Sequence, residues 1–142
     1  MERILVCVDA RHGAWGAWAR AISLAERIEA RVYALLVLPA GGTEVGHADT
    51  TTDRSVRERL ELLIELAKSD GISIDYFISE GSYEEEVIRF ADQHKITLIV
   101  AEPPRGDNRH SDREFVSFDK IRHRIRCRAE LVSPRKTENF QA

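Results

Sequence analysis

The sequence predicts an α/β fold in three layers, with a parallel β-sheet between two layers of helices. Three observations support this prediction. Short apolar runs, typical of strands buried on both faces, lie within 3–9 (Ile4 to Val8), at 32–38 and within 96–101 (Leu98 to Ala101). Segments with helical apolar spacing lie between the runs. Strands that alternate with helices favour parallel pairing through right-handed crossovers.

The first half of the chain supplies two of the strands and two helices. A helix is predicted from Ala14 to about Ala30, because positions 14, 18, 21, 25 and 28 are apolar. Residues 40–52 are rich in Gly and Thr without any period, which predicts a mobile loop. The next helix has Asp53 or Ser55 as its expected N-cap, with Ser55 and Glu58 spaced as a capping box, and Gly71 suits the position just after its end.

The second half is regular only as far as the strand at 96–101. Apolar residues alternate with polar ones from 72 to 79, which predicts a strand with one drier face, formed by Ile72, Ile74, Tyr76 and Ile78. Ser82 and Glu85 have the spacing of a second capping box, for a helix that ends near His94. Beyond the strand at 96–101 we expect an irregular polar segment at 103–114, a short helix at 115–125, a last strand at 130–132 and a tail at 135–142.

Composition predicts a single domain, 1–142, and restricts its partners. The 142 residues are 43% apolar and carry a net charge of −3, which argues against disorder, nucleic-acid binding and membrane insertion. The longest apolar stretch, 32–38, is far shorter than a bilayer span, and the first one stops at Asp9, too early for a signal peptide. Two cysteines 120 positions apart form no disulfide scaffold, so we expect a cytoplasmic protein.

Several stretches together resemble the universal stress protein family. They are Arg3-Ile4-Leu5-Val6-Cys7-Val8-Asp9, the strand 30–37, Glu80-Gly81-Ser82, Thr97-Leu98-Ile99-Val100 where the family usually has "DLIV", and Cys127-Arg128-Ala129-Glu130-Leu131-Val132 where it often has "CPVLVV". Their order and spacing over the chain carry the resemblance. It implies a Rossmann-like sheet with strand order 3-2-1-4-5.

One branch of that family binds ATP through a loop spaced G-x2-G-x9-G-[ST], whose backbone N–H groups close on the phosphates. On this chain the three glycine positions fall on Glu102, Arg105 and Phe115, so none of the glycines is retained. A carboxylate at Glu102 would repel phosphate, and the two prolines at 103–104 remove backbone donors. ATP binding of the family type is therefore not expected, and we expect no cofactor.

The resemblance places Asp9, Val37 and Arg105 around a nucleotide, should an altered loop still bind one. The alternative for Asp9 is a structural carboxylate that caps the next turn or pairs with Arg11 or Arg105. The family's dimer is commonly built from the last strand, where this chain has Arg128, Ala129 and Glu130. A charged edge strand opposes edge pairing, so a homodimer by that route is in doubt.

Charge is concentrated in residues 105–128, which hold eight basic and four acidic side chains. Arg122, Arg124 and Arg126 are candidate contacts for an acidic protein partner, and a solvated face is the plainer interpretation. Trp15 and Trp18 predict core packing, with an exposed partner site as the alternative. The histidines lack metal-ligand spacing and no catalytic constellation is found, so neither a metal site nor an enzyme is expected.

Two functions remain. The first is a universal stress protein-like regulatory domain in stress response, which acts through contacts with an unidentified protein partner and without ATP. The alternative is a switch that binds ATP or AMP through an altered phosphate loop.

Overall fold

Five parallel strands form one sheet in the order β3-β2-β1-β4-β5, which confirms the predicted fold class. The computed structural model describes residues 1–10, 13–38, 50–102 and 121–132, with the backbone alone for 50–53. The elements in chain order are β1 (Glu2–Asp9), α1 (Trp15–Arg27), β2 (Ala30–Leu38), α2 (Thr50–Ser69), β3 (Ser73–Glu80), α3 (Tyr83–Gln93), β4 (Leu98–Ala101) and β5 (Arg128–Leu131).

Two apolar clusters, one on each face of the sheet, make up the core. Even-numbered residues of β1, such as Ile4 and Val6, pack with α1 and α2, while odd-numbered ones, such as Leu5 and Cys7, pack with α3. This division follows from the alternation of side chains along a strand. The continuous apolar runs of β1, β2 and β4 are therefore buried on both sides, as the sequence predicts for central parallel strands.

The two tryptophans of α1 pack inward, in agreement with the core interpretation. Trp18 is buried, and the partly buried Trp15 packs against the same cluster. The guanidinium carbon of Arg59, on α2, lies 4.6 Å from the centroid of the Trp15 ring. This cation–π contact covers the outer side of Trp15 and joins the two helices of this layer.

The start of α2 was predicted wrongly. The helix begins at Thr50, so neither Asp53 nor Ser55 is its N-cap, and residues 50–52 belong to the helix and not to the loop. Its end agrees with prediction: Gly71 has φ +91°, and the N–H of Ile72 donates to the carbonyl of Ala67 at 3.1 Å. This is the Schellman pattern that favours glycine after the last turn.

The prediction of a second capping box is only partly correct. Ser82 is the N-cap of α3, and its carbonyl accepts from Glu86 N–H at 2.9 Å, but its side chain makes no capping hydrogen bond. Glu85 instead forms an ion pair with Arg124 at 3.0 Å. Glu86, one residue later, folds its carboxylate back over Gly81 and accepts from the Ser79 hydroxyl.

The drier face of β3 is also only partly as predicted. Ile74 is buried and Tyr76 packs partly against the core, but Ile78 is 46% exposed. The cause is position, because β3 lies at an edge of the sheet and α2 covers only part of it.

Some predictions lie outside the described residues: most of the loop at 40–52, the polar segment at 103–114, the start of the helix at 115–125 and the tail at 135–142. Residues 121–124 are helical, and the last strand begins two residues earlier than predicted. No helix in the described ranges is both long and apolar enough to cross a bilayer.

Candidate functional site

The candidate site lies at the carboxyl ends of β1, β2 and β4. In parallel α/β sheets ligands bind outside these ends, where the strand order reverses. The reversal falls here at β1, since β2 and β4 flank it on opposite sides. The described ends of these strands, at Asp9, Leu38 and Ala101, therefore lie at the edge of the sheet where a ligand crevice is expected.

Two of the three predicted nucleotide contacts are neighbours in this crevice. Asp9 and Val37 are register partners on β1 and β2, and Val37 is 5% exposed within the cluster on the α3 face. A tight turn follows Asp9, whose carbonyl accepts from Gly13 N–H at 2.8 Å, with φ +76° at Gly13. Arg105, the third predicted contact, lies outside the described residues, as does Phe115.

Glu102 occupies the opposite side of the crevice, where its carboxylate meets the N-terminus of α1. Its Oε2 atom accepts hydrogen bonds from the backbone N–H groups of Gly16 and Ala17, the latter at 3.2 Å. These are two of the four N–H groups that the first turn of a helix leaves without an intrahelical partner. A carboxylate there also interacts favourably with the positive end of the helix dipole. Glu102 thus serves as the N-cap side chain of α1, supplied from 85 residues away.

The sequence around α1 explains why a distant cap is needed. The N-cap residue is Ala14, which has no side-chain acceptor, and the first turn contains no acidic residue. Gly16 makes room for the substitute, since a Cβ at this position would lie 2.8 Å from Glu102 Oε2. A side chain at position 16 would therefore displace the carboxylate.

β5 holds the neighbouring part of α1 through a second acidic side chain. Arg20 donates to both carboxylate oxygens of Glu130, with its Nε 3.4 and 3.3 Å from them, and both side chains are a little more than one-third exposed. Val132 N–H donates to the carbonyl of Ala101 at 2.8 Å, immediately before Glu102. The charge at Glu130 that the sequence assigned to edge protection is therefore engaged with α1.

The predicted partner-binding arginines differ in their surroundings. Arg124 is paired with Glu85, and the adjacent Arg128 is paired with Glu2 at 3.3 Å. Arg122 and Arg126 are exposed, and neither forms an ion pair with any other residue of the described ranges. Among the described residues 121–132, the guanidinium groups of Arg122 and Arg126 are thus available to an outside anion.

The cysteines have the character of packed thiols. Burial raises the pKa of Cys7 to about 12, although a hydrogen bond with Tyr83 opposes the shift. Burial also raises the pKa of Cys127. A thiol with a raised pKa is a poor nucleophile at neutral pH. Within the described ranges no three His, Cys, Asp or Glu side chains come together as a metal site would need.

Sequence reasoning placed Glu102 beside the phosphates but missed its partners, Gly16 and Ala17. The sequence gives one indication of this contact, which is the absence of a local capping side chain. The segment Gly13-Ala14-Trp15 lacks every side chain that normally caps a helix. A helix that begins without a local cap has N–H groups open to an acceptor from another segment, to a ligand or to water.

Fold and crevice together define a parallel α/β protein of the Rossmann-like class. The model of the universal stress protein family matches residues 1–105, and this chain belongs to that family. UspA from Lactobacillus plantarum superposes with a TM-score of 0.75 at 19% identity, over 92% of this chain and 97% of that one.

Other solved structures support the same fold. A universal stress protein in complex with cAMP gives a TM-score of 0.65 at 16% identity, over 93% of this chain and 96% of its own. A universal stress protein from Archaeoglobus fulgidus gives 0.65 at 15% identity, over 93% of both chains. No curated protein matches the sequence closely enough to count as a relative.

Proposed function

We propose that this universal stress protein acts as a regulatory domain through protein contacts, without ATP binding of the family type and without catalysis. The observation that carries the proposal is the carboxylate of Glu102 at the N-terminus of α1. A helix N-terminus at this edge of the sheet is where α/β proteins commonly receive a ligand's phosphate. Here the chain's own anion takes that place.

Electrostatics strengthens the case. A phosphate that approached Gly16 and Ala17 would meet a negative charge already bonded to their N–H groups. Two like charges at close range repel strongly where the effective dielectric constant is low. Binding there would require Glu102 to leave, so the phosphate's bonds to these N–H groups would only replace those that Glu102 already makes. The prolines and the missing glycines after Glu102 add to this cost.

The partner surface that we propose is centred on Arg122 and Arg126. Both are exposed, while Arg124 and Arg128 are partly neutralised by Glu85 and Glu2. An acidic protein segment is the partner that fits two available guanidinium groups, because Arg binds carboxylates and phosphates through paired donors. Regulation in a stress response is the role that membership of this family suggests.

A nucleotide switch is the alternative function. Asp9 and Val37 are register partners at the carboxyl edge of the sheet. The resemblance implies an adenine-side contact for Asp9 and a contact with the nucleotide for Val37. A universal stress protein of similar fold forms a complex with cAMP. On this alternative the base would bind beside Asp9 and Val37, and the phosphates would avoid Glu102.

Isothermal titration with Mg-ATP and with cAMP tests the proposal. We expect no binding to the native protein up to millimolar nucleotide, and no adenine nucleotide in the protein as purified. Submillimolar affinity that disappears in Asp9→Ala would contradict the proposal and establish the switch. Turnover of ATP would instead indicate an enzyme.

The proposed contact with a protein partner needs a separate experiment. A cross-linked partner should be retained by Arg54→Glu, which changes an exposed arginine of α2, and lost in Arg122→Glu/Arg126→Glu. If both variants retained the partner equally, Arg122 and Arg126 would not belong to the partner surface.

A further inference from the structure

Two leucines on the outer side of α2 lie away from the core. Leu62 is 66% exposed and Leu66 is 59% exposed. The inward stripe of this helix, which packs in the core, is formed by Val56, Leu60, Ile64 and Ala67. One such stripe is enough to hold an amphipathic helix on a sheet. The two leucines, one helical turn apart, therefore form a second apolar surface, which is left exposed.

These leucines differ from the other exposed apolar residues because they are adjacent. Single apolar side chains are normal on a protein surface, whereas adjacent ones bordered by polar groups mark interaction sites. The other large apolar side chains exposed in the described part of the chain are Met1, Ile28 and Ile78, each on a separate segment.

Two carboxylates border the leucines. Glu58 lies four residues before Leu62 and Glu65 three residues after it, so both neighbour the apolar pair on the helix surface. Both are exposed, and neither forms an ion pair or a hydrogen bond with another residue of the described ranges. We call Glu58, Leu62, Glu65 and Leu66 the outer face of α2.

The cations of α2 do not neutralise this face. Arg59 is engaged with the Trp15 ring, 4.6 Å from its centroid. The remaining ones lie on another side of the helix or two turns away, at Arg54, Arg57 and Lys68. The outer face of α2 therefore combines apolar area with two negative charges.

We propose that the outer face of α2 binds a basic amphipathic helix of a partner protein. Two apolar side chains of that helix, one turn apart, pack against the leucines, and its Lys or Arg side chains pair with Glu58 and Glu65. A helix presents side chains at the interval that separates the leucines. α2 bonds its own backbone groups internally, so it offers side chains alone and no edge for an added strand.

Two other occupants fit the charges less well. An anionic lipid surface would be repelled by the two carboxylates. A second copy that set its Leu66 against Leu62, with the helices antiparallel, would bring Glu58 against the second copy's Asp70, so that like charges meet.

This surface is separate from the arginine surface of the proposed function. α2 packs in the cluster on one face of the sheet, and Ile121, next to Arg122, packs in the cluster on the other. The two surfaces also fit partners of opposite charge. Either proposal can therefore fail in experiment without the other.

Fluorescence anisotropy with a labelled helical peptide of Leu and Lys, whose leucines share one face, tests the inference. We expect saturable binding to the native protein and a fall of about tenfold or more in affinity for Leu62→Gln/Leu66→Gln. Ile28→Gln/Ile78→Gln is the matched control, because it replaces two exposed apolar side chains elsewhere. Far-UV circular dichroism verifies that the variants fold.

A second pair of variants tests the charges. Glu58→Lys/Glu65→Lys should weaken binding of this peptide about tenfold or more and strengthen binding of the same peptide with Glu in place of Lys. Glu26→Lys/Glu29→Lys changes two other exposed glutamates and the net charge equally. It should alter either affinity by less than about threefold, because salt screens distant charges.

The remaining outcomes would overturn the inference. These are the absence of saturable binding, and equal losses in a variant and its matched control. A native dimer that Leu62→Gln/Leu66→Gln dissociates would show that a second copy covers the face. Binding to phosphatidylglycerol vesicles that the same variant abolishes would show that the face contacts a membrane.

Discussion

The N-termini of α1 and α3 begin at the same edge of the sheet but acquire negative charge in different ways. α3 follows the N-cap Ser82 and carries three glutamates in its first turn, at 84–86. α1 follows Ala14, has no acid in its first turn, and receives the carboxylate of Glu102 across the crevice. One helix start is encoded locally and the other depends on the tertiary fold.

The difference shows at which helix N-terminus a ligand could replace one of the protein's own carboxylates. Glu84, Glu85 and Glu86 are covalently part of the helix that they stabilise. Glu102 lies on a separate segment after β4, so it and an external anion would compete for the same two N–H groups. The N-terminus of α1 is thus the helix start at which an internal carboxylate occupies N–H groups that an external anion could otherwise bind.

The largest expected effect comes from Glu102→Ala. Removing the carboxylate leaves the N–H groups of Gly16 and Ala17 without this acceptor and removes a favourable charge–dipole interaction, so we expect the free energy of unfolding to fall by about 1–3 kcal/mol. Urea denaturation measures it. Glu85→Ala, at a half-exposed residue, should cost less than about 1 kcal/mol. Equal losses in the two variants would contradict the distinction between the helix starts.

Gly16→Ala sharpens the comparison because two effects oppose each other. Alanine favours the helix by about 0.5–1 kcal/mol, but its Cβ would lie 2.8 Å from Glu102 Oε2. We expect a net loss of about 1 kcal/mol in the native background and a gain in the Glu102→Ala background, since the obstructing carboxylate is then absent. A double-mutant cycle by urea denaturation measures the coupling, and additivity would argue against contact between the two positions.

The smallest expected effect concerns the other end of α3. Lys95 has φ +54° at the position that Gly71 occupies after α2, and Ile96 N–H donates to the carbonyl of Ala91 at 3.0 Å in the same pattern. Lys95→Gly should stabilise the protein by about 0.5–1 kcal/mol, because glycine adopts this conformation without steric cost. Thermal unfolding measures the change. A fall in the melting temperature would contradict this, because the Lys95 side chain would then stabilise the protein by more than its αL backbone conformation destabilises it.

The sequence predicted what local patterns determine. Runs such as Ile4–Val8 are buried because central parallel strands are covered on both faces, and Gly71 ends α2 because the αL conformation favours glycine. The start of α2 was misplaced, since the threonines at 50–52 carry no helical apolar period. The strand order came from the family resemblance and not from periodicity.

Contacts between residues that are distant in sequence could not be predicted from local patterns. The sequence predicts that Glu102 repels phosphate, but it does not reveal the bond to Gly16, which spans 86 positions. Arg124 was grouped with Arg122 and Arg126, but a helix 39 positions earlier provides its partner, Glu85. Ile78 was assigned to the drier face because alternation identifies a face and not the limit of the helix that covers it.

The most direct test of the account follows the amide resonances of Gly16 and Ala17 by NMR while Mg-ATP is added. We predict that both resonances stay unchanged in the native protein, because the Glu102 carboxylate already holds these N–H groups. A saturable shift of both amides in the native protein, at submillimolar nucleotide, would contradict the account and show that phosphate displaces Glu102.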